Sequence, residues 1–271
     1  MTAQAPAIGP LLDAGGVRVE WTRADGAPVV TVTLDRPERR NAQTPATWRA
    51  LAAVGEHLPE GTRVVVVRGD GPSFSAGIDL RAFTPEGIDG ETVFADIAAL
   101  DDAEAAERIA QAQSAFRWWR DRDDVVTVAA VRGAAVGAGF QLALACDLRV
   151  CADDARFAMR ETTLGIVPDL TGTHNLVRLV GYSRALEICA TGRWVPVEEA
   201  AALGLANLVV GPDVLDAAVH DLVGTLLAAP AAAVSATKAL LRQAVDTPAD
   251  TARRAERETQ VGLIRALVGR T

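Results

Sequence analysis

Residues 125–146 read VVTVAAVRGAAVGAGFQLALAC. The continuous apolar run Val125–Val131 predicts a strand buried on both faces. Gly133–Gly139 predicts a glycine-rich turn, and Phe140–Cys146 the start of a short apolar helix. Strand, tight turn and helix in this order bring unpaired backbone N–H groups and the positive end of a helix dipole to one point. Such a point stabilises an anion, including one that forms only during a reaction. The same residues serve equally as a close strand–helix packing turn. Gly137-Ala138-Gly139 also begins a dinucleotide fingerprint, but Leu142 stands where its third glycine belongs, and the unit lies mid-chain.

Working upstream, Arg63–Arg68 holds four consecutive valines and predicts a second strand buried on both faces. The small-residue stretch Ser73–Leu80 follows it. Gly71-Pro72-Ser73-Phe74-Ser75 approaches a serine-nucleophile elbow but lacks the closing glycine, which excludes that reading. What is left is a turn at a strand's carboxyl end, where α/β sheets hold ligands, and it can supply a second N–H donor. Val17–Thr22 and Pro28–Leu34 predict a hairpin across Asp25-Gly26. Thr44-Pro45 opens a helix carrying Trp48, Leu51, Ala52, Gly55 and Leu58 on one face. Residues 81–104 are acidic and read as an irregular surface loop, with a helix around Ala103–Arg120.

Working downstream, Leu148–Cys151 and Leu208–Val210 read as strands. Leu170–Val180, Ser183–Ala190 and Val197–Ala202 read as short helices. From Asp213 onward the pattern is helical, broken at Pro230. Strands and helices alternate over two thirds of the chain, which predicts an α/β fold with a helical C-terminal region. The expected divisions are a loose tail over 1–16, a core over 17–210 and the helical region over 211–271. Between Arg160 and Asp169 two carboxylates, Glu161 and Asp169, flank an apolar stretch. In such surroundings a carboxyl group holds its proton more tightly and suits proton transfer. The plainer alternative is a pair of solvated carboxylates, with Asp169 capping the helix Leu170–Val180.

The 271 residues are 49% apolar, which supplies a full core, and 23% charged. The net charge of −8 with scattered basic residues argues against a nucleic-acid partner. The longest uncharged runs, Gly133–Cys146 and Leu222–Thr237, are too short for a membrane helix. The N-terminus lacks the basic flank and apolar stretch of a signal peptide. Cys146, Cys151 and Cys189 read as free thiols of a cytoplasmic protein. His57, His174 and His220 show no metal-ligand spacing.

Several of these segments, in this order, resemble the crotonase (enoyl-CoA hydratase/isomerase) superfamily. They are Leu34–Ala42 (LDRPERRNA), Ser75–Leu80 (SAGIDL), Gly133–Asp147, Glu161–Pro168 and Ala200–Ala206 (AAALGLA). The resemblance runs from about residue 17 to 245. It implies a crotonase-like spiral of ββα units, a C-terminal helical region used in trimerisation, and a homotrimer or hexamer. It implies acyl-CoA thioester substrates with no metal and no cofactor beyond that coenzyme A. It places an oxyanion hole at the backbone N–H groups of Ile78 and Ala138, and CoA near Arg36, Arg40, Ala76, Asp79 and Leu80.

One departure bears on the chemistry. Hydratases of the superfamily carry a glutamate in each catalytic segment, and here the first position is Gln141, which hydrogen-bonds but carries no proton at neutral pH. Glu161 keeps the second. One carboxylate suffices to move a double bond, because the same base removes a proton at one carbon and returns it at another. The expectation is therefore an enoyl-CoA isomerase with Glu161 as proton shuttle, Gln141 orienting substrate or water, and Asp169 as a second acid. The alternatives are a hydratase working with Glu161 alone and a catalytically silent acyl-CoA binder.

Overall fold

The computed structural model describes residues 8–24 and 26–269. The chain opens with α1 (Gly9–Gly15), β1 (Val17–Ala24), β2 (Ala27–Leu34) and α2 (Pro45–Glu56). Thr44 caps α2: its hydroxyl accepts from the Thr47 N–H at 3.2 Å, and the Thr47 hydroxyl accepts from the Thr44 N–H at 3.2 Å. Asp25, expected in the hairpin turn, and residues 1–7 of the expected tail lie outside the described residues. The rest of that tail is corrected. Gly9–Gly15 is helical because Ile8 and Leu12 are buried and Gly15 lies against α2, where a Cβ would stand 2.6 Å from the Ala50 Cβ.

There follow β3 (Val64–Gly69), α3 (Val93–Ala98), α4 (Asp102–Asp121), β4 (Val126–Val131), β5 (Ala134–Val136), α5 (Ala138–Ala145), β6 (Leu148–Ala152) and β7 (Arg156–Ala158). Then come α6 (Gly172–Thr191), β8 (Val195–Pro196), α7 (Val197–Ala202), β9 (Leu208–Val210), α8 (Leu215–Ala228), α9 (Ala231–Ala244) and α10 (Ala249–Val268). The stretch expected to be irregular holds α3, anchored by Phe94 stacking on Phe83 at 4.2 Å. The glycine-rich turn contains β5, and β7 and β8 had no counterpart in the sequence reading.

The larger sheet runs β1-β2-β3-β4-β6-β9, parallel except for the first hairpin. The smaller runs β5-β7-β8. Two parallel single-residue bridges, Gln43–Ile78 and Ser75–Ala135, carry the smaller layer back toward the N-terminus. Each winding thus lays a strand in the large sheet, then a short strand or bridge in the small layer, then a helix. This is the ββα spiral.

Both faces of the large sheet are covered. Val65 and Val67 point into the main core with Phe74, Phe116 and Phe140; Val64 and Val66 meet Leu215, Val219, Val223 and Leu227 of α8. The four-valine run is apolar throughout because each face has its own cover. The division at 210–211 therefore cuts through packing: α8 belongs to the core, and α9 and α10 extend beyond it.

Candidate active site

The first functional loop is held by buried polar groups. Asn41 Nδ2 donates to the carbonyls of Asp70 and Ser73, and Ser75 Oγ donates to the Asn41 carbonyl at 2.7 Å. In the Gln43–Ile78 bridge the Gln43 N–H bonds the Gly77 carbonyl and the Asp79 N–H bonds the Gln43 carbonyl. A parallel bridge made through the flanking residues turns the N–H of Ile78 itself the other way. That N–H makes no hydrogen bond among the described residues.

The second loop follows β5. Gly137 has φ 50 and ψ −121, a conformation open to glycine. A Cβ there would lie 3.2 Å from Glu161 Oε1, so the missing side chain also lets the acid approach. Ala138 is the first residue of α5, and its N–H is one of the donors that a helix leaves unpaired. The two loops touch: a Cβ on Gly77, whose φ is +88, would stand 2.6 Å from the Val136 carbonyl oxygen and 3.5 Å from the Ala138 nitrogen. Two free N–H groups on adjoining loops can hold an oxygen as it gains negative charge.

Glu161 begins a 3₁₀ turn after β7 and is buried. Its Oε1 accepts from Gln141 Nε2 at 2.6 Å, and its Oε2 has no hydrogen-bond partner among the described residues. Gln141 Oε1 accepts from the N–H groups of Leu170, at 2.9 Å, and Gly172, at 3.1 Å. Those two donors fix the amide orientation, so its NH₂ must face Glu161. Burial pushes the Glu161 carboxyl above its usual range, and the nearby Asp169 charge adds to the rise. Burial raises Asp169 as well. Asp169 does not cap α6. Thr171 stands at that position with φ 68 and makes no side-chain cap, while the N–H of Gly172, the first helical residue, goes to Gln141. The two helices expected over Leu170–Ala190 are both present within α6, separated at Gly181, whose φ of 73 and ψ of 166 are not helical.

Glu161, Asp169, Ile78, Ala138, Ala76, Asp79 and Leu80 line one cavity of about 1240 Å³. Helices α2 and α4 extend its wall through Trp48, Ala52, Ile109 and Ala112. Asp79 is tied to Arg81 at 2.7 Å and to Arg36 at 3.5 Å, and the Arg81 guanidinium holds its carboxyl down at about 2. Arg36 also donates to the Ala42 carbonyl, and Arg40 contributes its backbone carbonyl to the Ala76 N–H. Neither arginine is on the cavity wall, whereas Arg39, Arg49 and Arg108 are. Gln43, wholly buried and bonded to Trp48 Nε1 and Ser75 Oγ, was missed. Among the described residues no group of His, Cys, Asp and Glu is arranged to hold a metal ion.

Known proteins resemble this chain in sequence and fold. A Thermobifida fusca YX protein solved in complex with CoA is 47% identical, with a TM-score of 0.88 over 98% of this chain and 99% of that one. The Thermobifida protein has also been solved with acetoacetyl-CoA. Carnitinyl-CoA dehydratase of Citrobacter koseri is 35% identical over 82% of this chain and 80% of its own length. An Arabidopsis thaliana protein named as enoyl-CoA hydratase 2, mitochondrial, is 34% identical over 71% of this chain, and the match spans 60% of the plant protein. The sequence profile described as enoyl-CoA hydratase/isomerase matches residues 25–266. This chain belongs to the enoyl-CoA hydratase/isomerase family of acyl-CoA enzymes.

Proposed function

We propose that the enzyme moves a carbon–carbon double bond in an enoyl-CoA thioester, with Glu161 as the single base. The observation that carries this is the fixed amide of Gln141. It gives Glu161 a hydrogen bond and can neither supply nor accept a proton, while Glu161 Oε2 is left unpaired at the cavity wall. The thioester oxygen sits between the N–H groups of Ile78 and Ala138. Glu161 takes a proton from C2 of a 3-enoyl group. The C–H electron pair spreads into a dienolate whose oxygen the two donors hold. Glu161 delivers a proton at C4 as the remaining double bond settles between C2 and C3. Each such donor is worth about 3 kcal/mol of barrier. Asp169, on the same wall, serves as the second acid. The chemistry needs no group beyond the CoA of the substrate.

The test is to incubate 3-enoyl-CoA and 2-enoyl-CoA with the protein and with Glu161→Gln, and to follow products by chromatography and mass spectrometry. Conversion of the 3-enoyl to the 2-enoyl isomer at constant mass, reduced about 10²–10⁴-fold in the variant, is expected. The names of the relatives favour a second reading, water addition with Glu161 alone. Gain of one water on the 2-enoyl substrate would establish that reading instead. Tight binding without turnover of any thioester would leave an acyl-CoA binder.

The reading extends to assembly as a homotrimer or a hexamer, with the exposed Val261, Ile264 and Leu267 of α10 covered by another copy. Light scattering at assay concentration should give three or six times the chain mass; a monomer would overturn it.

A further inference from the structure

A second cavity, of about 1420 Å³, lies between α4, the start of α6 and α9. Its wall is rich in polar and charged groups, including Arg120, His174, Asn175, Arg178 and Lys238. His174 is exposed, so water reaches this space. One residue lines both cavities, and it is Asp169.

The segment carrying Asp169 is held from two sides. Its carbonyl accepts from Gln113 Nε2 at 2.6 Å, and the N–H groups of Leu170 and Gly172 just after it are bonded to Gln141 Oε1. The other end of that amide holds Glu161. Gln141 thus contacts Glu161 directly and the backbone on the C-terminal side of Asp169. Among the described residues no side chain hydrogen-bonds the Asp169 carboxylate, which takes a bond from its own backbone N–H, and its charge is felt at Glu161. An acid fixed at the shared wall of a catalytic cavity and a wet one, with no side chain bonded to its carboxylate, is placed to pass protons between them.

We infer that Asp169 is the proton relay between Glu161 and the water of the second cavity. The inference rests on the reading of Glu161 as the base. After Glu161 has taken a proton from carbon, its O–H bond breaks as a bridging water in the first cavity accepts that proton, and the same water gives up one of its own to form an O–H bond on Asp169. Asp169 then gives that proton to water and takes another from water, which returns to Glu161 by the same route. No electrons change hands and the charge of the pair is conserved. The proton that ends on carbon therefore comes from solvent. Without Asp169, Glu161 hands the original proton back.

The experiment is turnover of 3-enoyl-CoA in D₂O at low conversion by the wild type, Asp169→Asn and Asp169→Glu. Deuterium per product molecule is read by mass spectrometry, alongside the rate and the melting temperature of each protein. Wild-type product should carry close to one deuterium. The Asn variant should incorporate at least fivefold less per turnover, and the Glu variant should restore it. A merely structural role would change rate or melting temperature but leave the isotope content unmoved. Equal deuterium content in the wild type and Asp169→Asn overturns the inference, as does product that the wild type leaves free of deuterium.

A saturated acyl-CoA provides the companion measurement, because Glu161 and the two N–H donors suffice to remove its C2 proton, while replacing that proton by solvent deuterium needs the relay and no double bond has to move. Wild-type exchange that falls at least fivefold in Asp169→Asn keeps the relay even if no double bond moves, in which case only the isomerase reading fails. Absence of deuterium uptake from both substrates in the wild type overturns the relay itself.

Discussion

At Glu161 the chemistry and the stability of the protein pull in opposite directions. Burial raises the carboxyl above its unfolded value, so the folded state binds the proton more tightly than the unfolded chain does. The native protein is then favoured by the protonated form, and this contribution fades as pH rises through the raised value. Removing the charge with Glu161→Gln should therefore raise the melting temperature at pH 7 by about 2–4 °C, the effect of ~1 kcal/mol in a chain this long. The gain should vanish in acid, where Glu161 is itself neutral. A scan of melting temperature against pH checks this, and a variant less stable at pH 7 would contradict it. That position 141 carries no acid was legible from the sequence. Its role as a clamp was not, because its backbone partners Leu170 and Gly172 lie about thirty residues away and only folding brings their N–H groups to it.

Among the elements, the long apolar strands were legible because burial on both faces leaves no polar position in them. β7 and β8, with three and two residues, are too short for any periodicity and exist only because β5 offers an edge. α1 was masked by its flanking Gly9, Pro10 and Gly16. The tie between α9 and the sheet was hidden by distance in sequence. Lys238 Nζ donates to Asp147 Oδ2 and to the Val125 carbonyl, each at 2.7 Å, and both side chains are largely buried. Asp147 also accepts from the N–H and hydroxyl of Thr127. Taking one partner from such a pair leaves an uncompensated charge. Lys238→Met should cost about 3 kcal/mol in urea unfolding, and a loss under about 1 kcal/mol would show that water replaces the ammonium.

Across the whole molecule, the spiral explains why residues far apart in sequence share one cavity. Ile78, Ala138 and Glu161 each follow a strand or bridge of the small layer, on three successive windings, so stacking the windings stacks the three groups. The ordered motifs made this legible through their resemblance to a family, since no single motif fixes how windings stack. The packing of α8 across the boundary drawn at residue 210 was hidden for a related reason. The apolar stripe of α8 looks the same in sequence whether it meets this chain's own sheet or another copy, and only the far face of the sheet shows which. Arg36 and Arg40 were expected beside the coenzyme on the same kind of evidence. In the structure Arg36 is bonded to Asp79 and to the Ala42 carbonyl, and Arg40 gives its carbonyl to the Ala76 N–H, all three partners being on the cavity wall.

The amide between the two acids has a hereditary side. Glutamine and glutamate codons differ by one base. A carboxylate at position 141 could keep Leu170 and Gly172 on one oxygen while the other met Glu161, where the present contact is 2.6 Å. At that distance two carboxyl groups share one proton. The scaffold around them would be undisturbed, so descendants of this gene can trade one-acid for two-acid chemistry in a single step, without an unfolded ancestor in between.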